Sequence, residues 1–322
     1  MNWKLSDSND KVEMKKIYHD TLNDLINFDD KVVVLDADLA HSSGTYDLFE
    51  KYPNRCINCG ISEANMIAAS GGLSIIGMKP YVHSFSPFVT RRVLDQLYAS
   101  VIYSKGYIHI YGSDPGVYAQ GNGGTHIAIE DFSVLRAIPQ LTIFAPSDPV
   151  TFEWILNEYR DNPIPLYTRA PRGELPVIYE KNSLFCIGRG QWLIRGNDIA
   201  VIAIGDRVHK AIEAQKILLE RGVNISVIDL MFVKPYDQNL IQDVISQHKV
   251  VITFENHNIY GGIGDIVASE IVKSEFKPVL IKIGIEDLLG ESGDLMYLED
   301  KFQISSAYLI KTIENYLDKL ES

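Results

Sequence analysis

A lone carboxylate opens a long uncharged run. From Glu63, in Gly60-Ile61-Ser62-Glu63-Ala64-Asn65-Met66, the chain continues to Met78 without another ionisable side chain. A helix beginning after Ser62, a credible N-cap, carries Glu63 into an apolar interior. Desolvation there raises a carboxyl pKa and favours a form that shares or donates a proton to a bound heterocycle. The competing reading leaves Glu63 at a solvated helix start, stabilised by the helix dipole. His126 follows Gly123-Gly124-Thr125, so its imidazole sits in a glycine-rich loop, although an isolated histidine is more often structural. Arg169 ends a strand-like run, where its planar fork suits an anion; an interdomain salt bridge is the alternative, and Arg172 could join either role. Phe85 and Phe88 stand three apart and by themselves read as a core pair. Asp38 reads as a turn or capping residue before Ser42 and Ser43, and Leu39 as core packing.

Two further spacings are weaker. Cys56-x-x-Cys59 could be redox-active or half of a zinc site, but no second C-x-x-C or histidine pair completes it. Gly261, Gly262 and Gly264 resemble a phosphate-cradling turn before a helix, and backbone geometry at a strand-to-helix turn is the simpler account.

The elements that must hold these residues alternate. An amphipathic segment, 14–28, feeds the apolar run 31–36; then come a strand over 55–59, a helix over 63–75, and buried strands over 107–112, 142–146 and 166–169. Residues 171–190 are punctuated by Pro and Gly and read as a linker. A second α/β unit follows, with strands over 199–204, 225–229, 250–254 and 279–284, helices over 208–221, 237–247 and 264–274, and a closing amphipathic helix over 305–320. Gly222 falls where a helix C-cap belongs. The pattern predicts α/β architecture with two parallel-sheet domains, 1–175 and 190–322.

The 322 residues suffice for two cores, and 46% hydrophobic with 22% charged residues describe an ordinary soluble chain. A net charge of -12 argues against a nucleic-acid surface, which demands clustered Lys and Arg. No stretch approaches the roughly 20 apolar residues of a membrane span. The polar start over 1–13 and three cysteines fit a cytoplasmic, reducing setting.

Taken in order, several motifs resemble those of transketolases: Asp36-Ala37-Asp38-Leu39, the 55–66 segment ending Glu63-Ala64-Asn65-Met66, Lys79-Pro80-Tyr81-Val82-His83-Ser84-Phe85-Ser86-Pro87-Phe88, and Gly123-Gly124-Thr125-His126. The second half resembles the transketolase C-terminal domain through Asp229 to Pro235, Phe254 to Gly264, and Gly290-Glu291-Ser292-Gly293-Asp294. The likeness spans essentially the whole chain and is nearest to the separate C-terminal subunit of split transketolases. The G-D-G that holds a divalent cation on thiamine diphosphate is absent: Gly205-Asp206-Arg207, Gly264-Asp265-Ile266 and Gly293-Asp294-Leu295 each fail at the third position. The resemblance therefore implies a pyrimidine-binding fold that carries half of a thiamine diphosphate site. An N-terminal, diphosphate-binding subunit would hold a cation such as Mg2+, in a two-plus-two heterotetramer.

The resemblance also implies roles. Glu63 would hydrogen-bond the aminopyrimidine ring nitrogen so that the cofactor serves as its own base, Phe85 and Phe88 would pack on the pyrimidine, and Asp38 and Leu39 would lie near the thiazolium. His126 would face a sugar or sugar phosphate, Arg169 would bind its phosphate, and His257 would approach the substrate funnel. Two departures bear on that substrate. Asn122 replaces an acidic residue, with Gly124 in place of Pro, and Ser113-Asp114 replaces a His-Asp pair, so a modified sugar is implied. The implied activity is transfer of a two-carbon ketol unit between sugars. The alternatives are a 2-oxoacid dehydrogenase beta-type or deoxyxylulose phosphate synthase-like subunit, and a non-catalytic scaffold subunit.

Overall fold

The computed structural model describes residues 3–321. They divide into two compact units: the chain up to Pro115 with Asp131–Cys186, and Gly116–Glu130 with the chain from Ile187 onward.

The first unit is built on strands β1 (Lys11–Glu13), β2 (Val32–Asp36), β3 (Cys56–Asn58), β4 (Lys79–Phe85), β5 (His109–Ser113), β6 (Thr142–Phe144), β7 (Leu166–Ala170) and β8 (Glu174–Pro176). Six of them form a parallel sheet in the order β6, β7, β5, β4, β2, β3. Every residue of β2, β5 and β7 is buried, as expected of parallel strands covered on both faces. Helix Met14–Phe28 covers the sheet with Met14, Tyr18, Leu22, Leu25 and Ile26, whose spacing makes one apolar stripe. Helix Pro149–Asp161 starts on a capping box formed by Asp148 and Thr151, with Pro149 in its first turn.

Helix Glu63–Ile75 has the predicted bounds, and Ser62 stands at its N-cap position, yet the Ser62 side chain makes no capping hydrogen bond. That helix packs against a π-helical turn, Leu97–Tyr103, which the sequence pattern did not suggest. The two backbones approach so closely that a Cβ on Gly71 would lie 2.2 Å from the Ser100 carbonyl oxygen.

Much of the stretch expected to be a linker is structured. β8 pairs antiparallel with β1, and Tyr179 is fully buried with Trp3 and Phe185 against its ring. Aromatic burial, invisible to periodicity in so short a strand, holds this segment.

The second unit carries β9 (Gln191–Ile194), β10 (Ile199–Ala203), β11 (Ser226–Asp229), β12 (Phe232–Lys234), β13 (Val250–Asn258) and β14 (Val279–Ile285). Its five-stranded sheet runs β14, β13, β10, β11, β9 and is parallel except for β9, an antiparallel edge strand. Helices Arg207–Glu220, Gln238–Gln247 and Ile263–Lys273 connect the strands, and Ser306–Glu321 closes the chain. Gly222 takes a left-handed φ of 82° just beyond the first of these helices.

The turn around Gly262 has a plain structural purpose. The buried Glu255 carboxylate accepts the backbone N–H groups of Ile263 at 2.8 Å and Gly264 at 3.0 Å, and a Cβ on Gly262 would collide with it. The helix start is thus already occupied by an anion from the chain itself, which supports the geometric reading over a phosphate cradle. His257 is fully buried, with Nδ1 2.7 Å from the Asn258 carbonyl oxygen.

Candidate active site

In the first unit strand order reverses between β2 and β4: β3 lies beyond β2 on one side, and β5 beyond β4 on the other. The carboxyl ends of strands flanking such a switch point form a crevice where α/β sheets bind ligands. The register sets Asp36 of β2 beside His83 of β4, and Phe85 beside Ser113 of β5. Asp38, Leu39, Phe85 and Phe88 therefore all come to this one edge of the sheet.

The edge is held by a buried polar chain. His83 Nδ1 lies 2.7 Å from Asp36 Oδ2, and Nε2 lies 3.0 Å from Ser113 Oγ, with both His83 and Asp36 about 1% exposed. The other Asp36 oxygen accepts the Leu39 backbone N–H, fixing the turn in which Asp38 takes a left-handed φ of 64°. Ser86 donates both its N–H and its hydroxyl to the Ser113 carbonyl, at 2.9 and 3.0 Å, tying down the turn after β4. Each polar group in such a network needs its partner, because burial makes an unpaired one costly. Asp38 is exposed and receives an amide hydrogen bond from Asn58 at 3.1 Å. Leu39 is half-buried.

Glu63 is 3% exposed, so the solvated helix-start reading fails. It is also not isolated among apolar groups. Arg92 Nη1 donates to both carboxylate oxygens at 2.8 Å, and the guanidinium lies over the Phe88 ring, 4.0 Å from its centroid. Phe85 and Phe88 have centroids 6.2 Å apart at 56°. A buried acid and an aromatic face thus converge on one flat, N–H-bearing group, and Arg92, 44% exposed, is the side chain now there.

Two arginines end β7 and its extension. Arg169 is buried; its Nε donates to Asp131 at 2.7 Å, where Tyr167 also donates at 2.8 Å, and its guanidinium lies over Phe132. An ion pair, the alternative to an anion site, is thus formed, but inside the first unit. Arg172 is a quarter exposed, bonds Asp114 through Nε at 2.5 Å and through its backbone N–H at 2.9 Å, and stacks over Phe85 at 4.9 Å. Arg92 and the His83 network were missed from sequence. The one available signal was Arg92 standing four residues after Phe88, as Phe88 stands three after Phe85.

Asn122 and His126 belong to the second unit, in the segment Gly116–Glu130. Asn122 is exposed; His126 is half-buried, with Nδ1 3.0 Å from Thr125 Oγ1. The thiols carry no comparable chemistry. Burial pushes the Cys56 thiol up to about 12 and raises Cys59, so neither is a thiolate near neutrality. Among the described residues no group of three or more His, Cys, Asp or Glu is placed to hold a metal ion.

Residues 10–177 match the profile of the transketolase pyrimidine-binding domain, and residues 188–308 that of the transketolase C-terminal domain. The chain belongs to the transketolase family. It is 32% identical to the 6-deoxy-6-sulfo-D-fructose transketolase subunit SqwH of Clostridium sp. (strain MSTE9), over 95% of each chain. It is 31% identical to an apulose-4-phosphate transketolase subunit of Phocaeicola vulgatus, over 87% of this chain and 89% of that one. Among solved structures it superposes on a split-gene transketolase described as an inactive beta4 tetramer. That match has a TM-score of 0.84 and 29% identity, covering 94% of this chain and 97% of the other. A transketolase divided so that its C-terminal half is a separate chain thus accounts for both domains, and the family's thiamine diphosphate dependence follows. The site fits the pyrimidine half of that cofactor, since it offers a buried carboxylate beside an aromatic face. No helix among the described residues is long and apolar enough to cross a membrane.

Proposed function

We propose that this chain is the C-terminal subunit of a cytoplasmic split transketolase that moves a two-carbon ketol unit from a ketose to an aldose. Its pyrimidine-binding domain would span 1–175 and its C-terminal domain 190–322. Activity requires a diphosphate-binding N-terminal subunit that also holds the divalent cation, in a two-plus-two assembly. The absence of any G-D-G from a chain with the pyrimidine half supports that division. The observation that carries the reading is Glu63: a carboxylate 3% exposed and joined through Arg92 to the Phe88 face.

Thiamine diphosphate, when bound, would supply a carbon nucleophile for the two-carbon transfer. Glu63, 3% exposed, would hydrogen-bond the pyrimidine ring nitrogen. Phe85 and Phe88 would pack on the ring, and Leu39, in the turn fixed by Asp36, would pack against the cofactor. His126 moves a proton at a substrate oxygen and Asn122 bonds a hydroxyl. Arg172, more exposed than Arg169, meets an anionic group on the sugar, while Arg169 braces the strand end through Asp131. The acid-to-Asn122 departure and the sulfosugar named for one relative favour a ketose with a modified, anionic end.

Glu63→Gln in the reconstituted two-subunit complex should abolish turnover while the complex still assembles by size-exclusion chromatography. Retained turnover refutes the assignment. Release of carbon dioxide from pyruvate, with no ketose consumed, would instead indicate the synthase or dehydrogenase chemistry.

A further inference from the structure

The segment that carries Asn122 and His126 is held at both ends and at its tip by residues of the second unit, and the tip contact is made by a motif with no assigned role. At the near end Val117 N–H donates to Asn256 Oδ1 at 3.1 Å and Gly116 N–H to the Ala128 carbonyl at 2.9 Å. At the far end Asn258 N–H donates to the Ile129 carbonyl at 2.8 Å. Between them Gln120 is held at φ 46°, a left-handed conformation unfavourable for a residue with a Cβ, so the surrounding contacts must over-determine it.

The tip meets Gly290-Glu291-Ser292-Gly293. Ser292 Oγ donates to the Gly121 carbonyl at 3.1 Å. A Cβ on Gly124 would lie 2.3 Å from the Gly290 carbonyl oxygen, and a Cβ on Gly290 would lie 2.8 Å from Ile127 Cβ. Neither position admits a side chain without movement. The motif is itself braced: Glu291 accepts from Tyr297 Oη at 2.6 Å and Lys301 Nζ at 2.5 Å, and Asp294 caps helix Leu295–Lys301 by accepting the Tyr297 N–H at 2.9 Å. Where a transketolase loop is stiffened by Pro at position 124, this chain has Gly and a carbonyl pressed against it.

We propose that the loop Gly290–Gly293 is a positioning clamp that sets the donor-sugar specificity of the 121–126 segment, so that the C-terminal domain selects substrate without contacting the cofactor. This rests on the proposed role of His126 and Asn122. The clamp replaces local stiffness with a tertiary contact, and its geometry fixes where the His126 imidazole is presented.

The test uses Gly290→Ala and, as the milder change in case the first fails to fold, Ser292→Ala with Ser292→Thr as the conservative control. Hydrogen exchange on the full chain should show the 118–127 amides opening several-fold faster in Gly290→Ala and Ser292→Ala, with wild-type rates in Ser292→Thr. In the reconstituted complex, KM for D-fructose 6-phosphate and for 6-deoxy-6-sulfo-D-fructose should change unequally, by about tenfold for the better donor, with kcat within about threefold. Thiamine diphosphate affinity should not change. Unchanged exchange, or donor KM values and cofactor affinity weakening together, overturns the clamp. If the unaltered complex turns over neither ketose, the proposed reaction fails and the exchange measurement alone decides the clamp.

Discussion

The pairing of Glu63 with Arg92 can be tested without cofactor or partner, by a double-mutant cycle on the chain itself. Glu63 is 3% exposed and Arg92 44%, so the acid has given up its water while the base has given up only part of it. At ~4 Å and an effective dielectric near 20 the attraction is about 4 kcal/mol. Desolvation of Glu63 and ordering of a long side chain at up to about 2 kcal/mol offset much of that. A coupling of about 2 kcal/mol remains, well above the roughly 0.2–1 kcal/mol typical of exposed pairs. Arg92→Met leaves a buried carboxylate without its guanidinium and should cost about 2–3 kcal/mol. The same change in a Glu63→Gln background should cost under about 1 kcal/mol, through lost stacking on Phe88. Urea unfolding of the four proteins gives the coupling directly. For a unit of this size Arg92→Met should also lower Tm by about 4–12 °C. A coupling below about 0.5 kcal/mol would refute the claim that Arg92 compensates the buried acid.

Two further outcomes follow from buried groups remote from the crevice. Asp148 accepts the N–H groups of Thr151 at 2.8 Å and of Ile178 and Tyr179 at 3.0 Å; Asp148→Ala removes a cap and strands two more buried donors, and should cost about 3 kcal/mol in urea unfolding. Burial alone lowers the His109 pKa from 6.5 to about 3. The folded state therefore keeps this imidazole neutral while the unfolded chain takes up a proton below about pH 6.5. Stability falls as pH drops from there towards 3, by on the order of 5 kcal/mol in the limit. His109→Leu should flatten stability against pH between about 6 and 4 by close to one proton, and an unchanged slope there would refute it.

Elements with a clear period were legible. Helices Met14–Phe28 and Glu63–Ile75 appear with the predicted bounds because a 3.6-residue stripe, or a long uncharged run after a cap-like serine, survives without knowledge of the partner surface. The three-residue strands β1 and β8 were not legible, since two or three alternations carry no statistical weight and their pairing joins residues over 160 positions apart. The π-helical turn Leu97–Tyr103 was hidden for a similar reason: it lies where two backbones approach closely at Gly71, a tertiary fact.

The site divides along the same line. Glu63, Phe85 and Phe88 could be singled out as candidates because type and spacing repeat a known pattern, whereas what each one touches could not be read. Glu63 was expected among apolar neighbours and is found under Arg92; Arg169 was expected to greet an anion and is found buried on Asp131. In both cases a charged side chain brought near a low-dielectric interior recruits an opposite charge from a distant part of the chain. Gly124 shows the limit most plainly. That it departs from Pro was visible in one dimension and bore there only on the substrate that the resemblance implies. The Gly290 carbonyl, 166 residues later, shows the rest: the glycine is where a second segment presses in, and stiffness lost from the local sequence is regained from the packing.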